Sequence, residues 1–354
     1  GGWSDTPPIT YEHGGAVIMV GLLVNGKRPI GARAKRIKEG SLILTLINEG
    51  SASTEIHCRT LSDLEDYCQP HAPGSLLKAA FICVNLVDLH STTPLSQQLL
   101  DNFGCGFEVQ SWSNLPHGSG MGTSSILAGA VLAAILTAAG RSFNTTGLIH
   151  AVLYLEQLLT TGGGWQDQIG GLVGGVRLGL SEAKLPLKVD VDELDIRKDY
   201  IDKFNERLVL IYTGKTRLAR NLLQDVVRNW YARNPRIVST EDSLVKLARE
   251  CSNAFMDGDF ELLGSCISRY WEMKKLLAPG CESITIARIM SVLRPYVYGM
   301  CSAGAGGGGF IYGILKEPDY RSLVRMILQQ QEGLEAVVYD ASVDDSGLTV
   351  TFEE

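Results

Sequence analysis

The fold turns on Pro116-His117-Gly118-Ser119-Gly120-Met121-Gly122-Thr123-Ser124-Ser125, which places glycine at every second position and runs into an alanine-rich stretch, residues 126–139. That stretch has helical spacing, so the loop delivers a helix start. A helix N-terminus carries unpaired backbone N–H groups and the positive end of the helix dipole. Removing side chains at three alternating positions lets a phosphate come close to those N–H groups. The three hydroxyls that follow can add bonds to phosphate or a ligand to Mg²⁺. No Gly-Lys-Ser or Gly-Lys-Thr follows, so this is not a Walker A loop. The plainer reading is a capped turn before a packed helix. Three glycines at period two with three consecutive hydroxyls favour phosphate.

Outward from this loop, residues 16–23, 30–37, 42–49 and 106–112 alternate or run apolar and read as strands. Residues 76–89 have helical spacing. A second helix is expected over 145–159, capped by Thr145 or Thr146 and ended by Gly162-Gly163-Gly164. Residues 169–180 read as a glycine-rich strand pair, and 207–212 as a strand. From 216 to 293 the period becomes helical throughout, in segments near 216–232, 240–256, 259–276 and 283–294. The tail mixes a strand at 310–315, a helix at 320–331 and two further strands. The class is therefore α+β, with a change of character near residues 180–215.

Three other constellations can carry chemistry. Glu156 and Asp167 are eleven residues apart, which on one unbroken helix would set them roughly 16 Å apart on one face. The glycine run at 162–164 lets the chain turn back and bring them closer. Two carboxylates in different surroundings suit a metal ligand and a general base; a solvated helix Glu and a loop Asp is the alternative. Gly1-Gly2-Trp3-Ser4-Asp5-Thr6-Pro7-Pro8 offers a carboxylate, hydroxyls and an aromatic face, as a sugar site would, or it is an N-terminal turn. Cys301-Ser302-Ala303-Gly304-Ala305-Gly306-Gly307-Gly308-Gly309-Phe310 sets five glycines before a strand, as in a tight loop where backbones approach one another.

Composition narrows the class. The chain has 354 residues, 39 glycines, 45% hydrophobic residues and a net charge of −7. The glycine has no collagen period, and about half of it lies in the loops at 1–2, 14–15, 118–122, 162–164, 170–175 and 304–309. The acidic balance argues against nucleic acid, which needs clustered Lys and Arg; the basic stretch 27–38 reads as one face of a strand pair. No apolar run reaches the roughly 18 residues of a membrane span. The eight cysteines have no zinc spacing and are read as reduced, mostly buried thiols of a cytoplasmic protein. The chain opens Gly-Gly-Trp rather than on Met, so a segment of a longer protein is expected.

Taken together, the motifs resemble the GHMP small-molecule kinases. PHGSGMGTSS is similar to their central phosphate loop and CSAGAGGGGF to their third motif, and Glu156 and Asp167 match the family's helix Glu and loop Asp in order and spacing. GGWSDTPP, followed by Gly14-Gly15 and later by GGGWQDQIGG, is closer to the fucose and heptose-phosphate branch than to galactokinases. The resemblance implies a two-part α+β fold, residues 1–190 forming an N-terminal ATP-binding part and 191–354 a C-terminal part, with the active site between the halves. It implies transfer of the ATP γ-phosphate to the anomeric hydroxyl of L-fucose; a heptose phosphate as acceptor and a non-catalytic sensor module are the alternatives. It assigns ATP to Pro116, Gly118, Ser119, Gly120, Met121, Gly122, Thr123, Ser124 and Ser125. Mg²⁺ falls to Ser124 and Glu156, proton acceptance to Asp167, and the sugar to Gly2, Trp3, Asp5 and Gly306. Family members carry a strand before the first motif, with a basic residue near the catalytic Asp; Arg217 is a candidate substitute cation, or a surface arginine. A homo-oligomer is left open.

Overall fold

The computed structural model describes residues 2–48, 52–116, 118–215 and 220–352. The chain begins with α1 (Ile9–His13), β1 (Gly15–Val20), β2 (Leu22–Val24), β3 (Ile30–Ile37), β4 (Leu42–Asn48) and β5 (Thr54–Cys58). There follow α2 (Ser75–Cys83), α3 (Leu95–Phe103), β6 (Gly106–Ser113), α4 (Thr123–Ala138), α5 (Thr145–Leu158), α6 (Gln166–Leu172), β7 (Val176–Ser181) and β8 (Val189–Glu193). The rest is α7 (Lys198–Arg207), β9 (Leu208–Tyr212), α8 (Arg220–Tyr231), α9 (Pro235–Asp257), α10 (Phe260–Leu277), α11 (Ile284–Leu293), β10 (Val297–Ser302), β11 (Phe310–Leu315), α12 (Tyr320–Gln329), β12 (Val337–Tyr339) and β13 (Ala341–Val343). These elements fall into two compact units. One contains Gly1–Arg28, Pro116–Gly122 and Ile169–Gly347; the other contains Pro29–Leu115, Thr123–Gln168 and Leu348–Glu354.

The second of these units is built on the sheet β3-β6-β4-β5. β6 runs antiparallel to β3 and parallel to β4. Its residues alternate as the pleat requires, Phe107, Val109 and Ser111 inward and Glu108, Gln110 and Trp112 outward. α4 lies on β3 and β6, flanked by α2 and α5. Phe81, Leu77, Val131, Leu132, Ile135, Val152 and Leu155 close the core between them. α5 starts at Asn144, whose side chain accepts the Gly147 N–H at 2.7 Å. The cap is thus neither Thr145 nor Thr146 but the amide before them, which leaves both threonines inside the first turn.

The other unit holds three sheets, β1-β7-β8, β10-β11-β9-β12 and β13-β2. α9 packs on β1, and α10 packs on α9 and β10. The helices start on side-chain caps: Asn234 with Pro235 for α9, Asp259 for α10 and Ser283 for α11. The expected strands at 207–212 and 310–315 correspond to β9 and β11, and the expected helices at 240–256, 259–276 and 283–294 to α9, α10 and α11. Two expectations are corrected. Residues 169–180 are not a strand pair: α6 ends there and β7 follows, pairing with β1 on one side and β8 on the other. A Cβ on Gly170 would make only ordinary contact with Met19, at 3.5 Å, whereas one on Gly21 would stand 2.8 Å from the Gly170 carbonyl, so the close approach of α6 needs the glycine at 21. Helix α2 stops at Cys83 rather than continuing to Leu89, where Asn85 takes φ +54°.

Candidate active site

The phosphate-loop candidate has φ +67°, +75° and +66° at Gly118, Gly120 and Gly122. Left-handed residues at alternate positions curl a chain so that its N–H groups converge, the geometry of an anion nest. Only glycine adopts it without strain. This loop lies directly against the third glycine motif. A Cβ on Gly120 would stand 2.8 Å from the Ala303 carbonyl oxygen, and one on Gly304 would stand 2.7 Å from the Gly120 Cα. One on Gly309 would overlap the Ser119 carbonyl oxygen. The two loops therefore meet backbone to backbone, which explains the glycine in both.

Hydrogen bonds orient that contact. Thr213 N–H donates to the Gly309 carbonyl at 2.9 Å, and Phe310 N–H donates to the Ser119 carbonyl at 2.9 Å. Because a trans peptide holds its C=O and N–H antiparallel, these bonds align three peptide units in a line that ends on the Gly120 N–H. Aligned peptides polarise one another, so the line directs positive character toward Gly120. Ser119 is buried, and its hydroxyl accepts the Met121 N–H at 3.2 Å. Gly306, expected on the sugar, takes φ +91° and is buried against Cys281.

In the first motif the Asp5 carboxylate accepts the Trp3 N–H at 3.1 Å, and the Ser4 hydroxyl bonds both the N–H and the carbonyl of Ala16. Trp3 has φ +85°, a costly conformation for a residue with a side chain. Gly2 is buried, Trp3 is 7% exposed and Asp5 is 0% exposed. The motif is thus a closed turn whose carboxylate faces protein rather than solvent.

Sequence reasoning missed what stands behind it. Glu241 of α9 is fully buried, and neither of its carboxyl oxygens has a hydrogen-bond partner among the described residues. Burial first, and then the charge of Asp5, push its carboxyl up to about 8. Tyr270 of α10, half-buried, is raised well above its ordinary range by loss of solvent around its hydroxyl and then by Cys301, Asp5 and Glu241. A signal existed: Ile237, Glu241, Leu244 and Ala248 follow helical core spacing, so the carboxyl occupies an apolar row.

In the other unit, Glu156 of α5 is 4% exposed and accepts the Ser125 hydroxyl at 2.6 Å. The structure brings Ser125 to Glu156, while Ser124 is exposed. The chain does turn back after α5: the Thr161 N–H and hydroxyl both bond the Glu156 carbonyl. Gly163 lies so close that a Cβ there would overlap Glu156 Oε2. Asp167 follows four residues later, half-buried in the first turn of α6, where the helix dipole favours a carboxylate. Its neighbour Gln168 is buried and donates to the Gly164 carbonyl at 3.0 Å. Arg217 lies outside the described residues. Among the described residues no three His, Cys, Asp or Glu side chains converge as a metal cage.

Comparison with known proteins places this geometry. Residues 92–175 match the GHMP kinases N terminal domain. The L-fucokinase/L-fucose-1-P guanylyltransferase of Bacteroides fragilis is 32% identical over 355 residues, covering 99% of this chain and 37% of that protein. The bifunctional fucokinase/GDP-fucose pyrophosphorylase of Arabidopsis thaliana is 30% identical over 343 residues, covering 97% of this chain and 31% of that protein. The chain therefore spans about a third of the length of these relatives. The crystal structure of a D-glycero-D-manno-heptose 1-phosphate kinase from Bacteroides thetaiotaomicron matches with a TM-score of 0.67 at 16% identity, covering 99% of this chain and 96% of that one. The chain has the GHMP kinase fold, and residues 92–175 are similar to that family's N-terminal domain.

Proposed function

We propose that this chain is an ATP-dependent sugar 1-kinase that phosphorylates the anomeric hydroxyl of L-fucose, giving L-fucose 1-phosphate and ADP for conversion to GDP-fucose. The observation that carries phosphoryl transfer is the side-chain-free contact between the loops at 118–122 and 303–309. It supports a backbone cradle for a polyphosphate, since an anion needs convergent N–H groups and no Cβ in the way. The choice of L-fucose rests on the names of the two relatives that match nearly the whole chain.

In this reading the backbone from Pro116 to Gly122, with the hydroxyls of Thr123, Ser124 and Ser125, binds ATP. Phosphoryl transfer needs positioning and charge neutralisation more than covalent chemistry. Mg²⁺ fits the donor set: Glu156 supplies hard carboxylate oxygen beside the Ser125 hydroxyl, with the exposed Ser124 hydroxyl at the same helix start, and such an ion takes one or two carboxylates with the rest from phosphate and water. We assign Glu156 and Ser124 to it; when bound, it neutralises phosphate charge. Asp167 accepts the proton of the sugar hydroxyl as the new P–O bond forms. A sugar anomeric hydroxyl is more acidic than an ordinary alcohol, so a carboxylate suffices. Asp5, Gly2, Trp3 and Gly306 are assigned to the sugar, which reaches Asp5 only if the closed turn opens. The division into 1–190 and 191–354 belongs to the same proposal, as does a cytoplasmic location, which eight free thiols support. No helix among the described residues is long and apolar enough to cross a membrane.

The test is ADP release from a panel of free sugars and a heptose 7-phosphate, with and without ATP and Mg²⁺. Turnover should be greatest with L-fucose and should fall by about 10²–10⁴-fold in Asp167→Asn. Undiminished turnover in that variant removes the base assignment. Preference for the heptose phosphate, the alternative acceptor, changes the substrate. Nucleotide binding without product turns the reading toward a sensor.

A further inference from the structure

Lys274 of α10 is the one lysine among the described residues with no exposed surface. Its Nζ donates to the Ser302 carbonyl at 2.6 Å and lies 5.8 Å and 5.7 Å from the ring centres of Tyr270 and Trp271. Burying an ammonium is costly, and filling the space alone would need only an apolar side chain. Stability alone therefore does not explain the charge.

Its place in the chain does. Ser302 ends β10, and the glycine loop begins at the next residue. Ala303 N–H donates to the Phe310 carbonyl at 2.8 Å, which ties the two ends of that loop together at its neck. Phe310 N–H in turn holds the Ser119 carbonyl of the phosphate loop. Lys274 thus grips the neck of one glycine loop from behind, and that neck supports the other. The Cys281 carbonyl, four residues beyond the end of α10, takes the Gly307 N–H and braces the same loop from a second side.

We propose that Lys274 is a positioning residue for the nucleotide: bonded to the Ser302 carbonyl, it fixes the glycine loop that backs the phosphate loop and sets a buried positive charge behind the polyphosphate. It does not touch ATP. The inference rests on the ATP reading of the phosphate loop.

The experiment compares the unaltered chain with Lys274→Met and Lys274→Gln, titrating the Mg²⁺ complex of AMP-PNP by calorimetry and recording thermal midpoints without nucleotide. Lys274→Met should weaken AMP-PNP at least tenfold, and the Ser302 carbonyl left without its donor should lower the thermal midpoint as well. Lys274→Gln, which keeps a donor but not the charge, should weaken it at least threefold and keeps the test decisive if the methionine variant does not fold. Unchanged affinity in a folded variant overturns the proposal. So does a lowered midpoint with unchanged affinity, which is what a purely structural lysine would give. If the unaltered chain binds no AMP-PNP, the ATP reading itself has failed.

Discussion

Glu241 allows a quantitative test of the buried polar ground behind the first motif. Its folded value of about 8 stands against an ordinary 4.5, so between these two pH values the folded chain keeps a proton that the unfolded chain releases. The folded state then binds more protons, and stability falls as pH rises through that window. At about 1.4 kcal/mol per unit, the loss reaches roughly 5 kcal/mol near pH 8 and stays constant above it. Glu241→Met removes the ionisable group while keeping its volume. The variant's advantage over the unaltered chain should grow by about 3 kcal/mol between pH 5.5 and 7.5. Urea unfolding of both proteins at pH 5.5, 6.5, 7.5 and 8.5 measures it, since titrating groups that do not interact with Glu241 cancel in the difference. Because Asp5 contributes to the shift, Asp5→Asn should flatten the slope. A variant-minus-parent difference that is the same at all four pH values would refute the reasoning.

The glycine joint and the Arg28–Asp344 pair give two further outcomes. Gly120→Ala places a methyl 2.8 Å from the Ala303 oxygen at φ +75°. It should cost about 1–3 kcal/mol and abolish nucleotide protection in a thermal shift assay; full protection at wild-type affinity contradicts the cradle. Asp344 is held below the usual carboxylate range first by its bond to Arg28, at 2.6 Å, and its folded value is depressed. Its contribution is therefore complete above about pH 4 and is lost as pH falls toward that depressed value. Acid unfolding followed by circular dichroism should show Asp344→Asn less stable than the parent at pH 7 and converging with it near pH 2.

The sequence was most legible where one period dominates. β11 at Phe310–Leu315 and α10 are uninterrupted apolar or amphipathic runs, and both stand where the pattern places them. The glycine loops could be read as close-approach sites, because nothing else explains glycine at alternate positions. β10 was missed because Gly299 and the glycine run after it hide a strand whose glycine is required by helix α10: a Cβ on Gly299 would overlap the Gly264 carbonyl oxygen. Glu241 and Lys274 were missed for a different reason. A charged residue in a helix is ordinarily assigned to the solvent face, and only its register within an apolar row shows otherwise. The choice between Ser124 and Ser125 beside Glu156 was beyond the sequence, since adjacent helical residues differ by about 100° in direction and only packing sets which one turns inward.

The joint between the two glycine loops also constrains how this protein can change. Each loop is the wall that forbids a side chain in the other: Gly120 is blocked by Ala303, Gly304 by Gly120 and Gly309 by Ser119. Neither loop can drift alone, because the first substitution in either collides with a main chain that cannot move aside without unmaking its partner. Variation in nucleotide preference must therefore enter through positions that already carry side chains, such as Met121 or Ala305. An inhibitor seated on these glycines would meet main chain, and its selectivity would have to come from the side chains around them.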